Sequence, residues 1–393
     1  MKQWAQQAAR WMAIGLPAAL PFYLVRFSIG PLPTTLLEIY VLVLIGLAVF
    51  GYGRKGIKEA RSIFQPWVWP VGLFLLASLA AVFWSPIPFS GFGLWRAYIL
   101  EPLAVFFFLP ILIRHIDDRR MMERIMALVV IGVGAWSAVQ YAGWLPIPSP
   151  WDVSIDAGRR ATGPFPFPNA LALFVVPFGA YLFHRWMIDK KEWVYLVGTI
   201  AAFVSTVLAQ SDGGMLALAA AIVFVLLHEK KFRMPVLAII LIGVIAAFTI
   251  PHTRNKIIEE ATFQSWSGRV RVWMWDETRR MLADHPIAGA GMAGYPIVFA
   301  PYHEKPFIEV FQYPHNIVLN FWSETGLVGL IAFGLIVFVW IKRRNDWVSL
   351  APLFAILIHG LVDVPYFKND LAIAFWLLVF LTTVHLDREP VKR

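Results

Sequence analysis

The chain has 393 residues, of which 59% are hydrophobic and only 15% are charged. Soluble globular domains have about 25% charged residues, so this composition argues against one and favours an integral membrane protein. No cysteine is present, which excludes disulfides and thiolate metal sites. The formal net charge of +9 would also suit a nucleic-acid partner, but its distribution along the chain indicates another origin.

Apolar runs recur along the whole chain, and each is long enough to cross a hydrocarbon core about 30 Å thick. They predict an all-α polytopic integral membrane protein in which residues 1–393 form a single membrane domain with about 12 transmembrane helices. The first run lacks a small-residue cleavage site and is interpreted as a span. The predicted spans are 9–29, 33–51, 67–85, 96–113, 124–144, 169–187, 192–209, 213–229, 233–250, 315–340, 347–364 and 370–386.

The connections between the spans alternate in charge. One set, which includes both termini, carries 22 of the 34 Lys and Arg residues, and Arg388, Lys392 and Arg393 are its last members. By the positive-inside rule these connections are cytoplasmic, so both termini are predicted to lie inside. The basic charge is therefore interpreted as a topology signal, and no nucleic-acid partner is predicted.

Two longer segments remain for the outward side, 145–168 and 251–314. The second is a long loop between spans 9 and 10, in which seven basic residues are matched by seven acidic ones. A loop on the outward side does not need these basic residues to set the membrane topology. We expect an ordered set of short helices over the spans.

The segment "DAGRRATGPFPFPNALALF" places Arg159 and Arg160 just before span 6. Three prolines, at 164, 166 and 168, argue against a regular helix before Asn169, which is predicted to cap the span. A guanidinium matches the geometry of phosphate oxygens, so this segment is a candidate phosphate site. Contact with lipid headgroups is the alternative.

The segment "SWSGRVRVWMWDETRRMLADHPIAGAGMAGYP" predicts a helix capped by Ser267 and ended by His285. Its tryptophans suit an amphipathic helix lying in the membrane interface. The amphipathic-helix interpretation accounts less well for Arg269. This arginine lies at the start of the helix, where the positive end of the helix dipole already favours binding of an anion.

The segment "YPHNIVLNFWSETGLVGL" puts His315 and Asn316 at the outer start of span 315–340. The positive end of the helix dipole favours a neutral imidazole there, and a neutral imidazole can act as a general base. Glu324 follows within the span, while Gly326 and Gly329 would permit close helix packing. A structural histidine is the alternative.

Other polar residues have simpler interpretations. Asp363, in "HGLVDVPYFKND", is assigned to a hydrogen-bonded turn that closes the outer face. Glu38 and Glu101 lie near outer ends, where Arg26 and Arg96 could pair with them. The outer segments contain no Asp-x-Asp or Glu-x-His ligand cluster, so neither a metal site nor another cofactor is predicted.

His315-Asn316, followed after nine residues by Gly326-x-x-Gly329, resembles the signature of the O-antigen ligase and polymerase family of Wzy_C-type membrane proteins. Arg160 resembles the arginine that precedes the Thr-Gly and Pro-Asn stretch of that family. Arg269, four residues before a tryptophan, is similar to its loop arginine. The resemblance extends over roughly 155–375.

The resemblance implies a metal-independent, inverting glycosyltransferase of the GT-C type in the bacterial cytoplasmic membrane, with its active site on the outer side. The donor would be a glycan on undecaprenyl diphosphate, and the acceptor a lipid or glycan such as lipid A-core. His315 would be the catalytic base. The other residues implied are Arg159, Arg160 and Arg269 for the diphosphate, with Asn169, Asn316, Glu324, Gly326 and Gly329 in support.

Several alternatives remain. A ligase transfers a finished glycan to another molecule, whereas a polymerase extends one lipid-linked repeat with another, and some members glycosylate proteins. The ligase-type signature favours the first. Outside the family, a flippase for lipid-linked glycans would have a similar number of spans, but we expect it to line a central cavity with charges. A purely structural membrane scaffold is the last alternative.

Overall fold

The computed structural model describes residues 2–30, 32–155 and 158–384. The basic residues Arg388, Lys392 and Arg393 of the predicted cytoplasmic C-terminus lie outside the described residues, as does Asp156 at the start of the arginine segment.

The structure is 76% helical. The helices are α1 Lys2–Ala19, α2 Leu36–Phe64, α3 Val68–Trp84, α4 Pro88–Trp95, α5 Glu101–Leu112, α6 Ile116–Tyr141, α7 Pro168–Ile188, α8 Trp193–Leu208, α9 Asp212–His228, α10 Lys230–Thr249, α11 Pro251–Ala261, α12 Trp266–Asp284, α13 Tyr295–Phe299, α14 Ile317–Arg343, α15 Ala351–His359 and α16 Asn369–Thr383. A π-helical turn, Arg96–Leu100, joins α4 to α5.

The prediction of a helical polytopic membrane protein is confirmed. Six helical stretches of the described residues are long and apolar enough to cross a membrane, and four shorter apolar helices accompany them. A helix overlaps each of the 12 predicted spans, whereas the number of crossings stays a prediction. The long segment 251–314 contains α11, α12 and α13.

The first predicted span, 9–29, is wrong in its second half. Helix α1 ends at Ala19, and after a short 3-10 turn the strands β1 Arg26–Ile29 and β2 Leu32–Thr35 form an antiparallel hairpin. Gly30 follows β1 with φ 59°, a conformation that glycine adopts without strain. Apolar composition alone does not reveal such a reversal.

The centre of the bundle is formed by α7 and α16, whose residues are almost all buried. Helix α7 packs against α8, α9 and α15, and α16 packs against α5. Close approach depends on small residues, because a Cβ at Gly179 of α7 would lie 2.6 Å from the Cβ of Ala202 of α8. Small residues at such contacts let neighbouring backbones approach, as is common in membrane bundles.

Charged residues that the sequence places near outward ends meet at one end of the bundle, called the outer end below. Arg96 forms ion pairs with Glu38 at 3.0 Å and with Glu101 at 3.5 Å, as expected. Arg26 does not share in this pairing and lies over the ring of Tyr23 instead.

Candidate active site

The start of α14 is fixed by Asn316. Its side-chain oxygen accepts hydrogen bonds from the backbone N–H groups of Val318 at 3.0 Å and Leu319 at 3.1 Å. Its amide nitrogen donates to the carbonyl of Leu361 at 3.0 Å. The helix therefore begins at Ile317, two residues later than predicted, and Asn316 both caps it and ties it to the α15–α16 connection.

His315 precedes this cap in a left-handed backbone conformation, with φ 45°. Its Nδ1 lies 3.2 Å from a carboxylate oxygen of Asp363. The side chain of Asp363 is 2% exposed and that of His315 is 16% exposed. When Nδ1 carries the proton and donates to the carboxylate, Nε2 retains a free lone pair and has no hydrogen-bond partner among the described residues.

A hydrogen-bond chain extends from this pair. The amide nitrogen of Asn169 donates to the second oxygen of Asp363 at 3.2 Å, and a terminal guanidinium nitrogen of Arg160 donates to the Asn169 oxygen at 3.0 Å. Asn169 is thus not the cap that the sequence predicted, because α7 begins at Pro168 and its N-cap residue is Phe167. Because it does not cap the helix, the Asn169 side chain can link the guanidinium of Arg160 to the carboxylate of Asp363.

Asp363 is charged in this arrangement. Burial acts to raise its pKa, but the charge and hydrogen bond of His315, the charge of His359 and the backbone N–H of Val364 together lower that pKa below its usual range. An ionised carboxylate next to Nδ1 orients the imidazole and stabilises its protonated form.

The two adjacent arginines have different surroundings. Arg159 donates to the backbone carbonyls of Val153 at 2.8 Å and Tyr141 at 3.2 Å, which fixes the loop it belongs to. Arg160 donates to the carbonyl of Ala209 at 2.8 Å and joins the chain to Asp363 described above. Of the two, only Arg160 is connected to His315 by hydrogen bonds among the described residues.

Helix α12 carries the other candidate arginines. Its cap is Ser265, which accepts a hydrogen bond from the N–H of Gly268 at 3.2 Å, and the predicted cap Ser267 is wrong. Arg269 is exposed and lines an open cleft between α11 and α12 that also includes Glu259. Arg269 is therefore not brought to His315.

Arg271, two residues along α12, points the other way, as about 200° of helical rotation requires. Its Nε donates to the carbonyl of Val362 at 3.0 Å, next to Asp363. Burial lowers the pKa of Arg160, and the positive charge of Arg271 lowers it further while Asp212 opposes both. Arg160 and Arg271 are therefore within electrostatic reach of one another.

Glu324 has a supporting position. Its carboxylate accepts a hydrogen bond from the backbone N–H of Ala293 at 2.7 Å. The neighbouring Ser323 carbonyl accepts from the N–H of Ala290 at 2.8 Å, and the Trp322 indole donates to the carbonyl of Pro286 at 2.7 Å. These bonds attach the glycine-rich segment after α12 to the first turns of α14.

The two glycines of the signature do not serve the predicted close packing between helices. Gly326 has φ 70° and interrupts α14, so that the N–H of Leu327 reaches the Ile287 carbonyl at 3.0 Å. A Cβ at Gly326 would overlap that carbonyl oxygen. A Cβ at Gly329 would press on the Thr325 side chain of the same helix. Gly326 thus provides the break that receives the glycine-rich segment.

Two residues of the site escaped the sequence argument. Asp363 is 48 residues from His315, and Arg271 is 91 residues from Val362, so no spacing rule connects either pair. Asp363 was assigned to a structural turn. Arg271 lies only two residues from Arg269, and the orientation of α12 decides which of the two approaches Asp363.

Residues 197–334 match the Wzy_C family model, described as O-Antigen ligase. This match covers less than half of the chain and supports assignment to the O-antigen ligase and polymerase family. The matched segment contains Arg269, Arg271, His315 and the Gly326-x-x-Gly329 signature, whereas Arg160 and Asp363 lie outside it. The resemblance predicted from the sequence is thereby confirmed. A search of curated proteins found no match.

Members of the O-antigen ligase family are glycosyltransferase-like membrane enzymes, and the match supports a ligase or polymerase type of function. Among the residues that the structure describes, no three His, Asp or Glu side chains are grouped so as to hold a metal ion.

Proposed function

We propose that this protein transfers a glycan from undecaprenyl diphosphate to an acceptor hydroxyl at the outer face of the bacterial cytoplasmic membrane, as an inverting, metal-independent glycosyltransferase of the GT-C type. The observation that carries the proposal is the hydrogen-bond chain Arg160–Asn169–Asp363–His315, which links a guanidinium group to an imidazole whose Nε2 has no partner among the described residues.

In the proposed reaction the acceptor O–H donates its hydrogen bond to Nε2 of His315. As the oxygen attacks the anomeric carbon, its proton passes to Nε2, and the bond between that carbon and the diphosphate oxygen breaks. Undecaprenyl diphosphate departs with the electron pair. Attack from the face opposite the leaving group inverts the anomeric centre, and Asp363 stabilises the imidazolium that forms.

Arg160 and Arg271 are the residues that we assign to the diphosphate. Each is held by backbone carbonyls, and each has a terminal guanidinium nitrogen without a hydrogen-bond partner among the described residues. Guanidinium groups fixed in this way stabilise a departing phosphate without reorganising. Arg269, the residue implied by the resemblance, is less suited because it faces the other side of α12, and Arg159 is engaged by loop carbonyls.

The acceptor distinguishes the two family activities. A ligase would use lipid A-core or another surface acceptor, whereas a polymerase would use a second lipid-linked repeat. The base, the carboxylate and the arginines would serve both reactions equally, so the ligase assignment relies on the His315-Asn316 and Gly-x-x-Gly signature.

The test is release of undecaprenyl diphosphate from a purified lipid-linked glycan by the detergent-solubilised protein in the presence of EDTA. We expect release to depend on an added acceptor, and the mass of the glycosylated product to identify ligase or polymerase activity. Movement of intact donor between the leaflets of a liposome, without cleavage, would establish the flippase alternative instead.

A further inference from the structure

Three buried polar atoms near the His315–Asp363 pair have no hydrogen-bond partner among the described residues. They are Nζ of Lys368, one carboxylate oxygen of Asp370 and the hydroxyl of Tyr23. Nζ of Lys368 lies 5.8 Å from the centre of the Tyr23 ring and 4.3 Å from that of Phe167. Asp370 follows two residues later, in the first turn of α16.

Such a group of atoms is unfavourable by itself. A buried ammonium or carboxylate without a hydrogen-bond partner costs free energy, and here Lys368 and Asp370 are near one another without forming a direct ion pair in the described structure. A ligand that supplies the lacking partners would remove this cost. The unpartnered atoms therefore point to a binding site.

The chemistry of the three atoms indicates what the ligand is. An ammonium only donates hydrogen bonds, a carboxylate only accepts them, and a phenol hydroxyl does both. A sugar hydroxyl can accept from Lys368 and donate to Asp370 at the same time. An inorganic anion would suit Lys368 alone, and the carboxylates of Asp370 and Asp363 would repel it.

The surroundings suit a sugar as well. The rings of Tyr23 and Phe167 offer apolar faces for the C–H surface of a pyranose. The side chains of Lys368 and Phe167 are both half-buried, so the group lies just beneath the surface of the outer end.

The group also adjoins the proposed reaction centre. Burial lowers the pKa of Lys368, while the charges of Asp370 and Asp363 raise it, so Lys368 is within electrostatic reach of both carboxylates. Phe167 is two residues before Asn169, which bonds to Asp363. A sugar held at Lys368 would be next to the sugar or hydroxyl that reacts at His315.

We propose that Lys368, Asp370 and Tyr23 form a subsite that hydrogen-bonds the hydroxyl groups of a sugar unit adjacent to His315. This inference rests on the proposed function, because it assumes that a glycan reaches the outer end. The sugar can belong to the donor glycan or to an acceptor glycan, since both meet at His315.

The test measures binding, without turnover, for the purified wild type and for Lys368→Met, Asp370→Asn and Tyr23→Phe. The probes are undecaprenyl diphosphate without a sugar, the oligosaccharide released from the donor, and lipid A-core oligosaccharide. We expect each variant to bind one oligosaccharide about tenfold more weakly, and undecaprenyl diphosphate to bind within about twofold of wild type. The oligosaccharide affected identifies the source of the sugar.

Lys342→Met, at the C-terminal end of α14, is the matched control and should change none of the three affinities. Tyr23→Phe removes one hydroxyl while keeping the ring, so it remains informative if a charge variant fails to fold. Weaker binding of undecaprenyl diphosphate to Lys368→Met would show an anion site and overturn the proposal. Unchanged oligosaccharide binding in folded variants would also overturn it. If the wild type transfers no glycan, the proposed function fails, but the measured oligosaccharide affinities still test whether the subsite exists.

Discussion

Two buried charge networks are built on the same helix, α7, and they differ in how completely their hydrogen bonds are satisfied. Asn169 in the first turn belongs to the chain that ends at His315, and Arg185 in the last turn belongs to a network around Glu123. Sixteen residues of helix separate the two, or about 24 Å.

The carboxylate at the centre of the Glu123 network is saturated. One oxygen of its carboxylate accepts from Arg119 at 3.0 Å and Tyr181 at 2.6 Å, and the other accepts from Arg185 at 2.9 Å and Tyr195 at 3.3 Å. The remaining guanidinium nitrogens of Arg119 donate to backbone carbonyls near the end of α16. Among the described residues only the terminal guanidinium nitrogens of Arg185 lack a partner in this network. The carboxylate itself joins residues of α6, α7 and α8, so this network is a structural joint between helices.

The outer network is unsaturated. Nε2 of His315 and guanidinium nitrogens of Arg160 and Arg271 have no partner among the described residues, and Lys368 adds an unpartnered ammonium. The comparison teaches that burial of charge does not by itself mark a functional site. An imidazole with an unpartnered nitrogen, oriented by a hydrogen-bonded carboxylate, is the more informative sign.

The largest effect on turnover is expected for His315→Asn. Asparagine tolerates the left-handed backbone at this position better than alanine does, so the fold should be kept while the base is lost. Transfer should fall about 1,000-fold, with donor binding within about twofold of wild type, because a general base acts only in the transition state. Single-turnover transfer and equilibrium donor binding measure the two quantities, and a variant with normal turnover would show that the base lies elsewhere.

Asp363→Asn should lower turnover about 100-fold, because the imidazole loses the carboxylate that orients it and stabilises its protonated form. Steady-state transfer by the folded variant provides the measurement. Binding of undecaprenyl diphosphate serves as the control and should change little. An unaffected kcat would mean that Asp363 is only structural, as the sequence suggested.

The Asp363→Asn variant also tests how the stability of the fold depends on pH. The pKa of Asp363 is lowered in the folded protein, so its ionised form stabilises the fold at pH values above the usual carboxyl pKa of about 3.9. That stabilisation is lost as the pH falls below this value. The Tm of wild type should therefore exceed that of Asp363→Asn at pH 7, and the difference should shrink on acidification toward pH values near 3. A Tm difference that does not change with pH would contradict the assignment of a negative charge to Asp363.

Arg271→Met and Arg269→Met form a matched pair on one helix. We expect the first to weaken binding of undecaprenyl diphosphate about tenfold and the second to change it by less than about twofold, because only Arg271 faces the outer network. Equilibrium binding in detergent measures both. If Arg269→Met weakened binding more than Arg271→Met, the diphosphate would instead be assigned to Arg269, the residue that the family resemblance implies.

The smallest effect on turnover is expected for Glu123→Gln. Removing the shared carboxylate leaves Arg119 and Arg185 buried without a counter-charge, which should destabilise the protein by about 3 kcal/mol. Turnover per folded molecule should stay within about twofold of wild type, since nothing at the outer end changes. Thermal unfolding and transfer assays on the same preparation separate the two effects.

The sequence was sufficient for features that are local along the chain. Apolar runs located the helices because each span must bury about 20 consecutive residues in lipid. His315 and Arg160 were found from short patterns. The hairpin after α1 and the caps of α7 and α12 were missed, because a reversal or a cap depends on one or two side chains whose alternatives are nearly equal in energy.

Contacts between distant segments were beyond reach of the sequence. Asp363 becomes the partner of His315 only because the α15–α16 connection packs beside the start of α14, where the N–H of Ile317 donates to the carbonyl of Gly360 at 2.8 Å. Likewise it is Arg271 that approaches Asp363, and Arg269 that faces away, because of the rotation of α12. Neither fact follows from composition or spacing.

The most direct test of the central claim compares His315→Asn with Glu123→Gln, using one purified undecaprenyl-diphosphate glycan and equal amounts of folded protein in EDTA. The account predicts that Glu123→Gln is less stable yet releases undecaprenyl diphosphate at nearly the wild-type rate. It predicts that folded His315→Asn binds the donor and releases almost none. Normal release by His315→Asn, or loss of release per folded molecule in Glu123→Gln, would contradict it.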